Sequence, residues 1–337
     1  MLLNKQLCFF FSCLLLCMTC LTINAQKLII GFYNCENFYD TVHQRQVIDE
    51  EFLPNSAKHY SSRLFEKKLA HIAGNIYALS KLEHLEGLAF IGLAEIENRK
   101  VLEQVIAHPI IAKYHYKIIH FDSPDPRGID VALLYAPSHF VPYQYKPIPL
   151  TQGPHTSDFP TRDILYVKGQ LDHLWVHVFV NHWPSRRGGQ AASSSRRNWA
   201  SQVLKHQIDS ILLVDPGSTI LVMGDFNDNP TDKSLLALSL FNPFLEHFYK
   251  GDGSLAFGDS WHLFDQILTS KNLKGDNSDL SIYKSIIYKN DSLLEKSGLY
   301  KGYPKRTWMG DQFNNGYSDH FPVALILSLK KAENPLK

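Results

Sequence analysis

The chain has 337 residues, 45% hydrophobic and 20% charged, which excludes a disordered or fibrous class and leaves ample material for a core. A formal net charge of +1 excludes a global electrostatic footprint for polyanions, so any attraction to phosphate has to be local. Length alone suggests roughly two domains, although large two-layer β architectures run beyond about 200 residues as one unit.

The N-terminus reads as a secretory signal peptide. Lys5 precedes an apolar stretch that reaches Met18, and Ile23-Asn24-Ala25 offers a small-residue cleavage site. Residues 1–25 are therefore expected to be removed and residues 26–337 to form a single domain, exported to the periplasm or secreted. A membrane anchor is the competing reading, but the stretch lacks about 20 continuous apolar residues and a stop-transfer cluster. Lipidation at Cys17 or Cys20 would instead tether the exported protein. Four of the five cysteines (Cys8, Cys13, Cys17 and Cys20) lie in this leader. Cys35 then stands alone, which rules out an intramolecular disulfide and suits a small buried hydrophobe.

Residues 27–33 (KLIIGFY) predict a buried strand that ends in Asn34-Cys35-Glu36-Asn37. Asp49, Glu50 and Glu51 read as a solvated acidic loop. Apolar residues at Phe65, Leu69, Ile72, Ile76 and Leu79 have the spacing of an amphipathic helix, with Lys67, Lys68 and His71 on its wet side. Residues 88–93 (LAFIGL) form a second strand running into Glu95-Ile96-Glu97-Asn98. A carboxylate there is costly to desolvate unless it is paired or bound to a metal. Asn98 suits the cap of a following helix through Val101, Leu102 and Val105.

Residues 114–121 and 129–135 predict a strand pair, with Arg127 aimed by a turn built from proline and glycine. Residues 164–171 and 174–180 predict a hairpin that ends in Asn181-His182-Trp183, followed by Arg186, Arg187 and two glycines, a combination suited to an anion. Ser193 to Ser195 offer caps for the next helix, which places Arg196 and Arg197 in its first turn against the helix dipole. An apolar run from residue 219 to 223 stops at Gly224-Asp225-Phe226-Asn227, with Asp228 and Asn229 as turn residues before Pro230. Asp265 opens another apolar strand, residues 272–305 read as a polar surface excursion, and Ser318-Asp319-His320 precedes the last strand.

Collected, the strand ends supply hard oxygen ligands, two histidines and further acids able to orient them. Such oxygens suit magnesium, manganese or calcium better than zinc, which would call for His or Cys at close spacing. No GxxxxGK[ST] loop and no GxSxG elbow is present, which weakens nucleotide-driven and serine-hydrolase readings. Metal, histidine and arginine together point to phosphoester hydrolysis.

In order, Asn34-x-Glu36, Glu95, Arg127-Gly-Ile-Asp-Val, Asn181-His182, Gly224-Asp225-Phe226-Asn227, Asp265-Gln-Ile-Leu and Ser318-Asp319-His320 resemble the motifs of the endonuclease/exonuclease/phosphatase superfamily, over about residues 27 to 328. The resemblance implies a deoxyribonuclease I-like α/β fold, a four-layer sandwich of two packed mixed β-sheets flanked by helices. It implies Glu95 as principal magnesium ligand, with Glu36 and Asp319 on the metal side and Asn34 beside the metal or the scissile phosphate; Arg127 and Arg186 are the candidates for holding the substrate phosphate. Asp225 and Asn227 would position water and phosphate, His320 would exchange protons with Asp265 orienting it, and His182 resembles the histidine of the deoxyribonuclease I and sphingomyelinase branches. The expected function is that of an exported Mg2+-dependent nuclease, monomeric, with nucleic acid or another phosphodiester as partner and no stable protein partner implied. Hydrolysis of lipid or small-molecule phosphoesters is the second reading, and a non-catalytic binding protein the third.

Overall fold

Hydrophobic alternation explains the layers. Along strand β1 (Gln26–Phe38), Ile29, Tyr33 and Cys35 pack into one apolar cluster while Leu28, Ile30 and Phe32 pack into another. Strand β8 (Thr219–Asp225) divides in the same way: Leu221 and Met223 join the cluster that holds Leu28 and Ile30, and Ile220 and Val222 enter a third. Side chains on a strand alternate faces, so each strand covers two layers at once. The computed structural model describes residues 25–150, 160–275 and 278–330; apart from Ala25, the expected signal peptide lies outside them.

The first sheet contains β1, β2 (Phe90–Ile96), β3 (Lys117–His120), β4 (Asp130–Tyr135), β12 (Leu280–Ile287) and β15 (Val323–Leu329), in the order β12-β15-β1-β2-β4-β3. The second contains β5 (Phe140–Ile148), β6 (Ile164–Leu171), β7 (Leu174–His182), β8 and β11 (Asp265–Thr269), in the order β11-β8-β7-β6-β5. Each sheet has one parallel pair at its heart, β1 with β2 and β7 with β8; the other pairings are antiparallel. Helix α1 (Ser62–Leu79) joins the first parallel pair and α3 (Gln190–Val214) the second, because parallel strands require a crossover. Two small hairpins, β9 (Leu255–Phe257) with β10 (Ser260–His262) and β13 (Trp308–Met309) with β14 (Gln312–Phe313), lie outside the sheets.

Three apolar clusters separate four layers. One lies between the first sheet, α1 and α2 (Arg99–Ala107), the second between the sheets, and the third between the second sheet and α3. This is the expected two-sheet sandwich flanked by helices. Gly92 sets the spacing of the sheets: a Cβ there would lie 2.7 Å from Met223 Sδ and 3.0 Å from Val180 Cγ1 across the interface. Among the described residues no helix is long and apolar enough to cross a membrane.

Four local readings change. Lys68 lies buried on α1, donating to Thr307 Oγ1 and to the Tyr317 carbonyl (2.7 Å), and His71 Nδ1 meets the Gly316 carbonyl at 2.8 Å. That side of α1 anchors the loop before β15 instead of facing water. Asp49 is buried, accepting from the Gln44 N–H (2.6 Å). The polar segment 272–305 supplies β12, an edge strand paired along β15. Helix α3 begins at Gln190, so Arg197 falls beyond its first turn, and its guanidinium meets Asp228 at 2.7 Å with no exposed surface.

Candidate active site

Strand phase delivers the polar residues to one end of the seam between the sheets. The inward series on β1 (Leu28, Ile30, Phe32) continues to Asn34, that on β7 (Val176, Val178, Val180) to His182, and that on β8 (Leu221, Met223) to Asp225. Asp225 is paired across β8 with His182 on one side and Asp265 on the other. Gly224 makes this approach feasible, since a Cβ there would sit 2.5 Å from the Asn181 carbonyl oxygen.

Where phase alone would misdirect a side chain, the backbone departs from regular strand. The β1–β2 register shifts between Asn34 and Phe38, and the β2–β4 register shifts between Ala94 and Ile96. Glu36 (φ 50°), Asn37 (φ 52°), Glu95 (φ 60°) and Asn227 (φ 51°) all take left-handed conformations. Such conformations in residues other than glycine cost energy and gather at functional sites.

Two carboxylate groups result. In the first, Asn34 Nδ2 donates to Asp225 Oδ2 (3.0 Å) and lies 3.5 Å from Glu95 Oε1, while the Asn37 N–H donates to Glu95 Oε2 (2.7 Å). His182 Nε2 faces Asp225 Oδ2 at 3.6 Å and Glu95 Oε1 at 3.7 Å. His320 Nε2 is 4.0 Å from Asp225 Oδ2, and its Nδ1 is 2.6 Å from Asp265 Oδ2. Asp265 is fully buried and also accepts from Ser254 Oγ (2.6 Å). In the second group, Glu36 accepts from the Thr307 N–H (2.6 Å), and Arg306 reaches both Glu36 Oε1 (3.3 Å) and Asp319 Oδ2 (2.9 Å). Ser318 ties the groups together, its hydroxyl donating to the Asn34 carbonyl (2.8 Å) and accepting from the His320 N–H (3.1 Å).

The two histidines are driven in opposite directions. Burial, then the positive charges of Arg162 and Arg127, hold the His182 ring well below its usual pKa, so it is neutral and its contacts with the acids are not ion pairs. Burial also pulls on His320, but Asp265 and then Asp225 overcome it and hold that ring well above its usual value. Asp225 and Glu36 are raised, mainly by burial, with Asp265 adding to the first and Asp319 to the second.

Asn34, Glu36, Glu95, His182, Asp225, Asn227, Asp265, Asp319 and His320 thus converge at one end of the seam. Asn227 donates its amide to the Trp183 carbonyl (3.0 Å) and its N–H to Asp225 Oδ1 (2.9 Å). Arg127 lies at the flank, beside Asp125 (3.4 Å), and the charge of Glu95 stabilises its protonated form. Arg186 points elsewhere: it donates to the Asn227 carbonyl (2.8 Å) and to Asp232 (2.7 Å), clamping the loop after β8. Sequence reasoning did not single out Arg162 or Arg306, nor Asp228 as the buried partner of Arg197. Arg162 donates to Asp125 Oδ2 (3.0 Å) and to the Trp183 carbonyl (2.7 Å). Both arginines sit in stretches without a strand-end signature, and only tertiary folding brings them to the acids.

Asp225, Asp265 and His320 place ligand-type atoms within 4.8 Å of one another. We read this trio as a proton-handling chain and not a metal centre, because Asp265 Oδ2 is engaged by the ring and by Ser254. The acids Glu95, Asp225, Glu36 and Asp319 offer the donor type a hard divalent cation takes, although among the described residues no three of them bring ligand atoms within 4.8 Å of one another. They supply only oxygen, and among the described residues Glu95 Oε1 has no donor closer than 3.5 Å; burial raises both Glu36 and Asp225, with Asp319 adding to the first and Asp265 to the second.

Comparison with known proteins agrees with this geometry. A model of the endonuclease/exonuclease/phosphatase family matches residues 29–330. Among curated protein sequences nothing matches. A family protein from Bacteroides thetaiotaomicron is similar in structure, with TM-score 0.56, 13% identity, and coverage of 92% of this chain and 100% of that one. The human Nocturnin catalytic domain, with bound sulfate, gives 0.53, 15%, 91% and 98%. D. rerio TDP2 complexed with a single-strand DNA product gives 0.55, 12%, 90% and 99%. These likenesses establish the fold, and the family match establishes kinship: the chain belongs to the endonuclease/exonuclease/phosphatase family, whose members are divalent-metal-dependent hydrolases of phosphoester bonds.

Proposed function

We propose that the protein is a Mg2+-dependent phosphodiester hydrolase, and that its substrate is nucleic acid. The observation that carries this reading is the pairing of a neutral His182 with a protonated His320 on opposite sides of Asp225. Hydrolysis of a phosphodiester forms one P–O bond to water and breaks one P–O bond to the leaving alcohol. Water must lose a proton and the alkoxide must gain one. Asp225, with its pKa raised toward neutrality, accepts the proton of the attacking water, and Asn34 holds that carboxylate in place. His320, kept protonated by Asp265, donates at the leaving oxygen. The neutral His182 ring donates a hydrogen bond to a non-bridging phosphoryl oxygen. Asn227 fixes the Asp225 carboxylate through its N–H.

Glu95, with Glu36 and Asp319, would hold the cation, which when bound neutralises charge on the phosphoryl group. Arg306 already bridges Glu36 and Asp319, so Glu95 is the acid of the three with the least competition from protein cations. Nucleic acid is favoured because D. rerio TDP2, of the same fold, carries a DNA product; His182, which resembles the histidine of both the deoxyribonuclease I and the sphingomyelinase branches, does not separate the two readings. The proposed export rests on the leader pattern of residues 1–25, and N-terminal sequencing of the mature protein tests it.

One assay panel tests the substrate class: purified protein with plasmid DNA, RNA, sphingomyelin and bis-p-nitrophenyl phosphate, each with Mg2+ and with EDTA. Cleavage of DNA or RNA in Mg2+ is the expected result. Turnover of sphingomyelin alone would move the assignment to lipid phosphodiesters.

A further inference from the structure

Beside the reaction centre lies a cavity of about 310 Å3 whose wall includes Arg127, Thr161, Arg162, Ser185 and Arg187. Among the described residues of that wall, Arg127, Arg162 and Arg187 face one carboxylate, Asp125, which both Arg127 and Arg162 engage. Two polar groups in the wall are buried and have no hydrogen-bond partner among the described residues. Arg162 has 5% of its surface exposed; its Nη1 and Nη2 are bonded, but its Nε has no acceptor. Thr161, also 5% exposed, carries a hydroxyl with no partner. Buried polar groups are normally satisfied, so two orphans in one cationic wall mark a place where a ligand supplies the missing acceptors.

The cavity is joined to the chemistry through shared atoms. The Trp183 carbonyl accepts from Arg162 Nη2 on the cavity side and from Asn227 Nδ2 on the catalytic side. Arg127 stands between them, lining the cavity while feeling the charge of Glu95.

We propose that this cavity is a second anion subsite, which binds a phosphate group of the substrate next to the one being hydrolysed. This rests on the phosphodiester hydrolase reading and adds a selection rule: good substrates carry at least two phosphates. The second phosphate is either a terminal monoester or an internal diester of a polynucleotide, and both present the same oxygens to the guanidinium groups.

The test compares kcat/KM in Mg2+ for the dinucleotide TpT, its 5′-phosphorylated form pTpT, and the trinucleotide TpTpT, for the wild type, Arg187→Ala and Thr161→Val. Arg187 is exposed, so its truncation leaves the fold intact. The wild type is expected to favour pTpT or TpTpT over TpT by about tenfold, mostly in KM, as one charge-assisted guanidinium–phosphate contact allows. Both variants are expected to lose most of that preference while their rate on TpT stays within about twofold. Preference for pTpT identifies a terminal phosphate, and preference for TpTpT an internal one. Equal rates on all three substrates, or variants that slow TpT as much as the others, would overturn the proposal. If no substrate is cleaved, the hydrolase reading fails and the subsite is judged separately, by calorimetric titration with pyrophosphate in EDTA. Binding weakened about tenfold by Arg187→Ala would uphold the subsite, and absence of binding would overturn it.

Discussion

A histidine's role is set by what faces its ring, and His182 and His320 show the two extremes within one site. His182 is buried, feels the positive charges of Arg162 and Arg127 and has no partner at Nδ1 among the described residues, so it stays neutral. His320 has Asp265 against Nδ1 and Asp225 toward Nε2, so it stays charged. Activity that needs His320 protonated falls as pH rises through its raised pKa. Replacing Asp265 by Asn removes the charge that raises that pKa, so the alkaline limb of the kcat/KM profile is expected to move to lower pH. A profile that keeps its alkaline limb in Asp265→Asn would show that another group governs it. His320→Ala is expected to lower kcat by about 10²–10⁴-fold, the usual contribution of general acid catalysis, measured in steady-state assays. Lys68 shows what could have been read earlier. It lies three residues after Phe65 and four before Ile72, inside the apolar stripe of α1, and that spacing signals a buried cation with a partner. Glu36, 4.0 Å away, is one such partner, while Thr307 and Tyr317 come from a distant loop that no local pattern reveals.

At the scale of elements, strand phase explains most of the site, and the bulges explain the rest. Asn34, His182 and Asp225 follow from counting by twos along β1, β7 and β8, so their convergence was legible once those strands were recognised. Glu95 was legible as a costly strand-end acid, but its left-handed backbone was not, because a bulge depends on the neighbouring strand's register. Strand β5 was missed because Pro142 and Pro147 argue against a strand; both are tolerated at an edge. Helix α3 and the loop after β8 are held together by Arg197 and Asp228, both buried. Arg197→Met leaves the Asp228 carboxylate buried without its main cation and is expected to cost about 3–5 kcal/mol, read from denaturant unfolding. A loss below about 1 kcal/mol would mean that Arg186 and Ser234 suffice for that carboxylate. On β7, burial lowers His177 to about 4, with the Tyr166 hydroxyl 2.9 Å from its Nδ1. The unfolded ring protonates near its ordinary value of about 6.5, so the stability from keeping it neutral is complete above that pH and is lost as pH falls toward about 4. His177→Gln is expected to flatten the stability profile in that window, by at most about 1.4 kcal/mol per pH unit.

For the whole molecule, the two sheets form a frame whose seam is lined by buried apolar side chains and is polar at one end. A Cβ at Gly92 would press on Met223 of β8 and Val180 of β7, and Gly92→Ala is expected to cost about 1–3 kcal/mol by forcing them apart, seen as a lowered Tm. The architecture was legible from apolar runs and motif order together; the layer assignment of β12, formed by a segment rich in lysine, serine and asparagine, was not. The frame brings four acids to one end of the seam; Arg306, Lys68 and His320 offset part of their charge, and the proposed activity requires a divalent cation beside them. That requirement is the central claim, and one measurement tests it most directly. Hydrolysis of bis-p-nitrophenyl phosphate is followed for the wild type in Mg2+, in excess EDTA and after Mg2+ is restored, alongside Glu95→Gln in Mg2+. Activity that disappears in EDTA, returns with Mg2+ and falls by about 10²-fold or more in Glu95→Gln is the predicted result. Full activity in EDTA, or unchanged turnover in Glu95→Gln, would contradict it.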